Sequence, residues 1–212
     1  MVTQLQSFFR KPLLEKSEAL SQWYWLIKTQ FYYRRFFGAI GQRTRIIKPM
    51  RLKGVEYISL GRDVTVNKHA WLQPMMLEGT PPRLIIGDGC VIGNFSHVTC
   101  VTRVELGEKV LLADRVFITD HGHQFRDPNV PIMDQGVAPG RPVSIGAGSW
   151  LGENVVVLSA SIGRNCVVGA NSVVLSDLPD HSVAVGAPAR VIRRFNPRTA
   201  AWERIEAPVS VC

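Results

Sequence analysis

Cysteine is scarce in this chain: four in 212 residues, at positions 90, 100, 166 and 212. Their spacing fits neither the close pairs of a zinc site nor a disulfide framework, which argues against stapled secreted folds and Cys-rich metal domains. Long apolar runs are lacking too. No stretch approaches the roughly 18 apolar residues of a membrane-spanning helix, and "MVTQLQSFFRKPLLEKSEAL" at the N-terminus does not read as a signal peptide. A reducing cytoplasm is the expected location. Excess charge is missing from most of the chain. The formal +8 is concentrated in residues 1–53, which hold 11 Lys and Arg against 2 acidic residues, while the remainder nets −1. A body that is close to neutral excludes a nucleic-acid binder of the usual basic kind. With 46% apolar and 20% charged residues, the chain is expected to fold as one globular domain with a small appendage.

What the sequence does have is a beat of six. Leu60, Val66 and Leu72 are followed by Ile86, Ile92 and Val98, then by Leu106, Leu112 and Ile118. After a gap the series returns as Ile145, Leu151 and Val157, and then as Ile162, Val168 and Val174. Glycine or another small residue often comes next, as in "IGDGCV", "LGEKVL" and "IGRNCV". Four places after the aliphatic stands a small or β-branched residue, among them Cys90, Ser96, Val110, Ser149 and Cys166. Neither a helical period of 3.6 nor simple alternation produces this pattern. A unit of one short strand and one turn does. Three units make a triangular coil, and stacked coils pair in parallel with the aliphatics inside. The glycines are expected to supply turn geometry, and Cys90 and Cys166 to fill the small inward site. Cys100 lies off that site.

On these motifs the chain resembles the hexapeptide-repeat acyltransferases, including galactoside, maltose and serine O-acetyltransferases and enzymes that acetylate bacterial surface polysaccharides. The likeness spans roughly residues 50–195 and is most specific in "PVSIGAGSWLGENVVVLSASIGRNCVVGANSVVLSDLPDHSVAVGAPARVIRR". It implies an all-β fold, a left-handed parallel β-helix with an N-terminal helical segment and a protruding loop at about 122–142. The handedness comes from the resemblance alone, since ordinary crossovers are right-handed. The implied domains are a basic, aromatic segment at 1–50, the β-helix at 51–190 and a closing segment at 191–212.

The beat breaks at Ile118. It starts a unit that never completes, and "DHGHQFRDPNVPIMDQGVAPGRPV" carries Pro, Gly and Asp where strands need β-formers, so it reads as a functional loop. His121 stands at its root. Acyl transfer from a thioester to a hydroxyl needs a base, and imidazole, with an unperturbed pKa of about 6.5, suits that task. The resemblance places the catalytic histidine here, with direct attack of the acceptor on acetyl-coenzyme A. His123 could orient His121 or contact the substrate. Asp120 is expected to anchor the loop, because neighbours on an extended chain face opposite ways.

The same resemblance assigns Trp150 and Asn94 to the acceptor site. It assigns Gly152, Ala170, Leu175, Ser176, Arg190 and Arg193 to coenzyme A, the two guanidiniums suiting its phosphates. Ser176 stands where some relatives have lysine, and Glu153 replaces a small serine. The implied partners are a saccharide and two further copies of the chain in a homotrimer. Other small acceptors, a free sugar or a xenobiotic alcohol, stay open. A metal-dependent carbonic anhydrase shares the fold. The histidines at 69, 97, 121, 123 and 181 lack the five-residue separation of its paired ligands, so no metal is expected.

Residues 20–37 hold eight of the eighteen aromatics. A helix there puts Leu20, Tyr24, Ile27 and Phe31 on one side. It would either cap the open end of the coil or rest on a membrane surface.

Overall fold

The computed structural model describes residues 12–205; Cys212 and the ends of both terminal segments lie outside them. Three parallel sheets form the sides of a triangular coil. The first runs through Ala39–Ile40, Ile58–Leu60, Arg83–Ile86, Arg103–Leu106 and Val143–Ile145. The second begins Arg45–Ile46, Thr65–Val66, Val91–Ile92, Leu111–Leu112, and the third contains Trp71–Pro74, His97–Cys100, Phe117–Thr119 and Val156–Leu158. Register follows the beat. Leu60 pairs Ile86, Ile86 pairs Leu106 and Leu106 pairs Ile145 on one side, while Leu72, Val98, Ile118, Val157 and Val174 pair in turn on another. All fifteen aliphatics of the series are buried. Each removes a whole side chain from water, worth roughly 1.5–3 kcal/mol.

The coil starts ahead of the expected boundary at residue 51. Ile40, Ile46 and Leu52 form a sixth triplet on the same count and pair with Leu60, Val66 and Leu72. The glycines act in two ways, Gly89 and Gly148 by adopting positive φ and others by leaving room for the next coil. Gly93, directly after a core aliphatic, does not adopt positive φ; a Cβ there would lie 2.0 Å from the Ala113 carbonyl oxygen of the next coil. Close stacking excludes the side chain. Left-handed backbone falls two residues later instead, at Asp63, Lys109, Arg115, Asn154 and Asn165 among others. Small and inward positions are as read: Ser149 donates its hydroxyl to the Gly163 carbonyl and accepts the Cys166 N–H, both inside the coil. Cys100, read as lying off the small site, is also fully buried, and burial pushes its thiol up to about 12 and that of Cys90 to about 11.

Helix α1, Leu13–Phe31, closes the first coil. Thr29 is buried and accepts the Ile46 N–H at 2.9 Å, and the Gln30 amide donates to the carbonyls of Gly41 and Thr44. At the other end, Ser182–Gly186 turns into the antiparallel strands Ala189–Asn196 and Ala201–Arg204, which extend the second sheet beyond the coil.

Candidate active site

Sequence reading expects a protruding loop at about 122–142. It is a hairpin at its base: His121–His123 pairs antiparallel with Val137–Pro139, and the Gly140 N–H closes it on the Asp120 carbonyl at 2.7 Å. Proline at 139 is tolerated because this two-stranded ribbon has open edges. The stem holds both histidines at the rim of the third sheet. His121 and His123, two apart on one strand, both reach a cavity of about 480 Å³. Its other walls include Trp71, His97, Phe117, Thr119 and Leu158.

Asp120 is the hinge of this arrangement. Completely buried, its carboxylate accepts the N–H groups of Val101, Thr102 and Arg103 at 2.8 Å each, and the Thr102 hydroxyl at 2.6 Å. These close the corner of the preceding coil. Burial pushes the Asp120 carboxyl up, but hydrogen bonds from His121, Thr102 and the Val101 backbone outweigh it and hold its pKa below the usual carboxylate range. The anchor role is therefore joined by a second one: Asp120 Oδ1 lies 3.2 Å from His121 Nδ1. The sequence argument from opposite-facing neighbours missed this, because the chain bends at the root of the hairpin. Thr119 Oγ1 lies 2.9 Å from the same nitrogen. An ionised carboxylate can only accept, so this network assigns the proton to Nδ1 and leaves the lone pair on Nε2.

Sequence reading also missed the wall opposite. Trp71, His97 and Phe117 each precede a core aliphatic on the third sheet and stand directly above one another. The His97 ring stacks on Trp71 at 4.1 Å and 15°, with Phe117 at 5.1 Å on its other side. Burial, with the nearby charge of His121, lowers the His97 pKa to about 4, so this ring is neutral near pH 7. The register would have revealed the ladder, had outward positions been aligned as the inward ones were.

The remaining predicted residues lie elsewhere. The Asn94 amide donates to the Asp114 carboxylate at 3.1 Å and does not line the cavity. Trp150 is half exposed on the second sheet, between Leu111 and Val167. Gly152 is buried against the Ala170 backbone, where a Cβ would come within 2.7 Å of its nitrogen, and Ala170 itself is exposed. Leu175, Ser176, Arg190 and Arg193 are exposed on the last turns, and neither arginine has a carboxylate partner among the described residues. Such bare cations and close backbone suit a phosphate-bearing, extended ligand. Glu153 has a partner of its own in Arg115. Among the described residues of one chain, no three His, Cys, Asp or Glu side chains cluster to hold a metal ion.

Comparisons agree with the repeat and the fold. The family described as the hexapeptide repeat of succinyl-transferase matches residues 142–176. The chain is 37% identical over 129 residues to WbbJ of Escherichia coli K12, named for O-acetyl transfer in lipopolysaccharide biosynthesis. That match covers 57% of this chain and 65% of WbbJ. Rv3034c of Mycobacterium tuberculosis, named as an acetyltransferase, is 41% identical over 148 residues, covering 69% of this chain and 44% of its own length. Among solved structures, galactoside acetyltransferase in complex with coenzyme A covers 97% of this chain and 86% of its own, at 24% identity and a TM-score of 0.54. AntD, an N-acyltransferase from Bacillus cereus in complex with dTDP and 3-hydroxybutyryl-CoA, covers 81% and 90%, at 19% identity and 0.65. The coil is accordingly the left-handed parallel β-helix. By its repeat and its fold the chain is similar to the hexapeptide-repeat acyltransferases, and it spans 65% and 44% of the two curated relatives' own lengths.

Proposed function

We propose that this protein transfers an acetyl group from acetyl-coenzyme A to a hydroxyl of a saccharide, with His121 as the general base. One observation carries the reading: an imidazole at the rim of a cavity whose Nδ1 is held by Asp120 and Thr119, with Nε2 left over. Nε2 takes the proton of the acceptor hydroxyl as its oxygen attacks the thioester carbonyl. The C–S bond then breaks, and the imidazolium returns the proton to the departing thiolate. The buried Asp120 carboxylate stabilises the transient positive charge and fixes the tautomer, as a positioning residue. His123, on the same side of the strand, is placed to contact the acceptor.

The names of WbbJ and galactoside acetyltransferase support a sugar acceptor, and the first supports a surface polysaccharide or its lipid-linked precursor. Gly152, Ala170, Leu175, Ser176, Arg190 and Arg193 would hold coenzyme A. They do not line the His121 cavity within one chain, which supports a homotrimer in which one copy's last turns face another's hairpin. Trp150, exposed on the second sheet, and Asn94 belong to that shared groove in this reading.

The test is release of free thiol from acetyl-coenzyme A across a panel of glycans, alongside the mass of the products. Acceptor-dependent release with a gain of one acetyl per product supports the reading. Release that no glycan stimulates, or a product acylated on nitrogen, overturns it.

A further inference from the structure

Helix α1 turns its apolar stripe away from the coil. Its face toward the coil carries the buried Thr29 and the bonded Gln30. Its apolar stripe, Leu20, Trp23, Tyr24, Ile27 and Phe31, faces outward, with exposures from 36% at Ile27 to 70% at Phe31. These positions fall on i, i+3, i+4, i+7 and i+11, a single band along the helix. Tyr32 and Phe36 continue it, both 53% exposed. Capping the coil therefore does not account for this exposed band: the contacts with the coil are made by Thr29, Gln30, Tyr33 and Phe37.

Several exposed arginines on the coil are paired, Arg43 with Asp63, Arg62 with Asp88, Arg115 with Glu153 and Arg141 with Asp177, while others such as Arg83 and Arg164 have no carboxylate partner among the described residues. Arg34 and Arg35, immediately after α1, are exposed and have no carboxylate partner among the described residues. The Lys28 ammonium lies over the Trp25 ring at 4.9 Å and the Tyr33 ring at 5.6 Å.

We infer that this face of α1 docks on an anionic membrane surface, the aromatic band lying at the headgroup level and Arg34 and Arg35 meeting lipid phosphates. Tryptophan and tyrosine favour that boundary, and a basic rim draws them to it. Charge complementarity separates this occupant from a second copy of the chain. Residues 1–53 carry +9 and the remainder −1, so two copies of this segment repel one another. None of this depends on His121 or on the acceptor.

The test is sedimentation of the full-length protein with vesicles of phosphatidylcholine alone and with added phosphatidylglycerol. Binding is expected only to the anionic vesicles and is expected to weaken in high salt. At ~1 kcal/mol per cation near the surface, Arg34→Gln with Arg35→Gln lowers the partition coefficient about thirtyfold. Trp23→Ser with Phe31→Ser lowers it tenfold or more, on the order of the apolar area lost. All four side chains are exposed, so the thermal midpoint should hold. In the unaltered protein, brominated acyl chains should quench tryptophan fluorescence. Absence of binding to anionic vesicles, absence of quenching, or equal binding by both double variants overturns the inference. So does a change of oligomeric state in the aromatic variant, which would assign the band to a second copy.

Discussion

Coils three and four run in register through Val98 and Ile118 and through Thr99 and Thr119, and then part. After Thr99 comes Cys100, buried, and the chain turns the corner to begin the next coil at Arg103. After Thr119 comes Asp120, equally buried, and the chain leaves the coil for a hairpin. A thiol in the first case needs no charged partner. The carboxylate in the second is satisfied by the very N–H groups that Cys100's corner exposes, at Val101, Thr102 and Arg103. One corner thus provides the donors that hold the root of the next, and the difference teaches how a repeat can end without fraying. The break is also what sets the His121 imidazole at the rim, held through Nδ1.

The largest effect on folding should come from the shared part. Ile118→Ala and Val98→Ala occupy equivalent places in one stack, and the first is expected to cost about 2–5 kcal/mol, the second somewhat less for its smaller side chain. Denaturant unfolding checks both. If Ile118 proved tolerant while Val98 did not, the coil would not continue unbroken into the site.

Next comes the difference itself. Asp120→Asn keeps the shape but turns an amide N–H toward donors, and about 2–3 kcal/mol of stability is expected to be lost. The same variant should lower kcat and shift its pH profile, because the imidazolium loses its anionic neighbour. A stability loss with an unchanged profile would confine Asp120 to anchoring.

Smaller again is the effect of acid. The folded pKa of His97 lies at about 4, below the value of about 6.5 in an unfolded chain. Its contribution is therefore present above pH 6.5 and is lost as pH falls toward 4, on the order of 1–2 kcal/mol after allowance for its partial exposure. Asp120, also depressed, acts in the same direction at lower pH, through and below about 3.9. His97→Phe should flatten the decline between pH 7 and pH 4.5; an unaltered decline would assign it to other groups.

The interior was legible in the sequence because burial repeats with the beat: a residue such as Val168 is fixed by the need to stack on Leu151. The first triplet, Ile40, Ile46 and Leu52, obeyed the same count and was hidden only by the Lys- and Arg-rich residues between them. His121 could be placed because a break in a strict pattern stands out. Asp120 and the Trp71–His97–Phe117 wall were harder, since their partners lie on neighbouring coils and an outward residue has no packing rule to betray it. The orientation of α1 was open for a related reason. Its apolar stripe suggests a buried face, yet two hydrogen-bonding side chains, Thr29 and Gln30, decide which side meets the coil.

His121 is expected to matter least for stability, within about 1 kcal/mol, since its ring, though only 13% exposed, borders a cavity and is bonded through Nδ1 alone. For turnover the opposite holds. The decisive measurement is the rate of acceptor-dependent thiol release from acetyl-coenzyme A by wild type and by His121→Ala with matched thermal midpoints. A fall of ~10²–10⁴ in kcat is predicted, the usual contribution of a positioned base; equal rates in the two proteins would contradict the account.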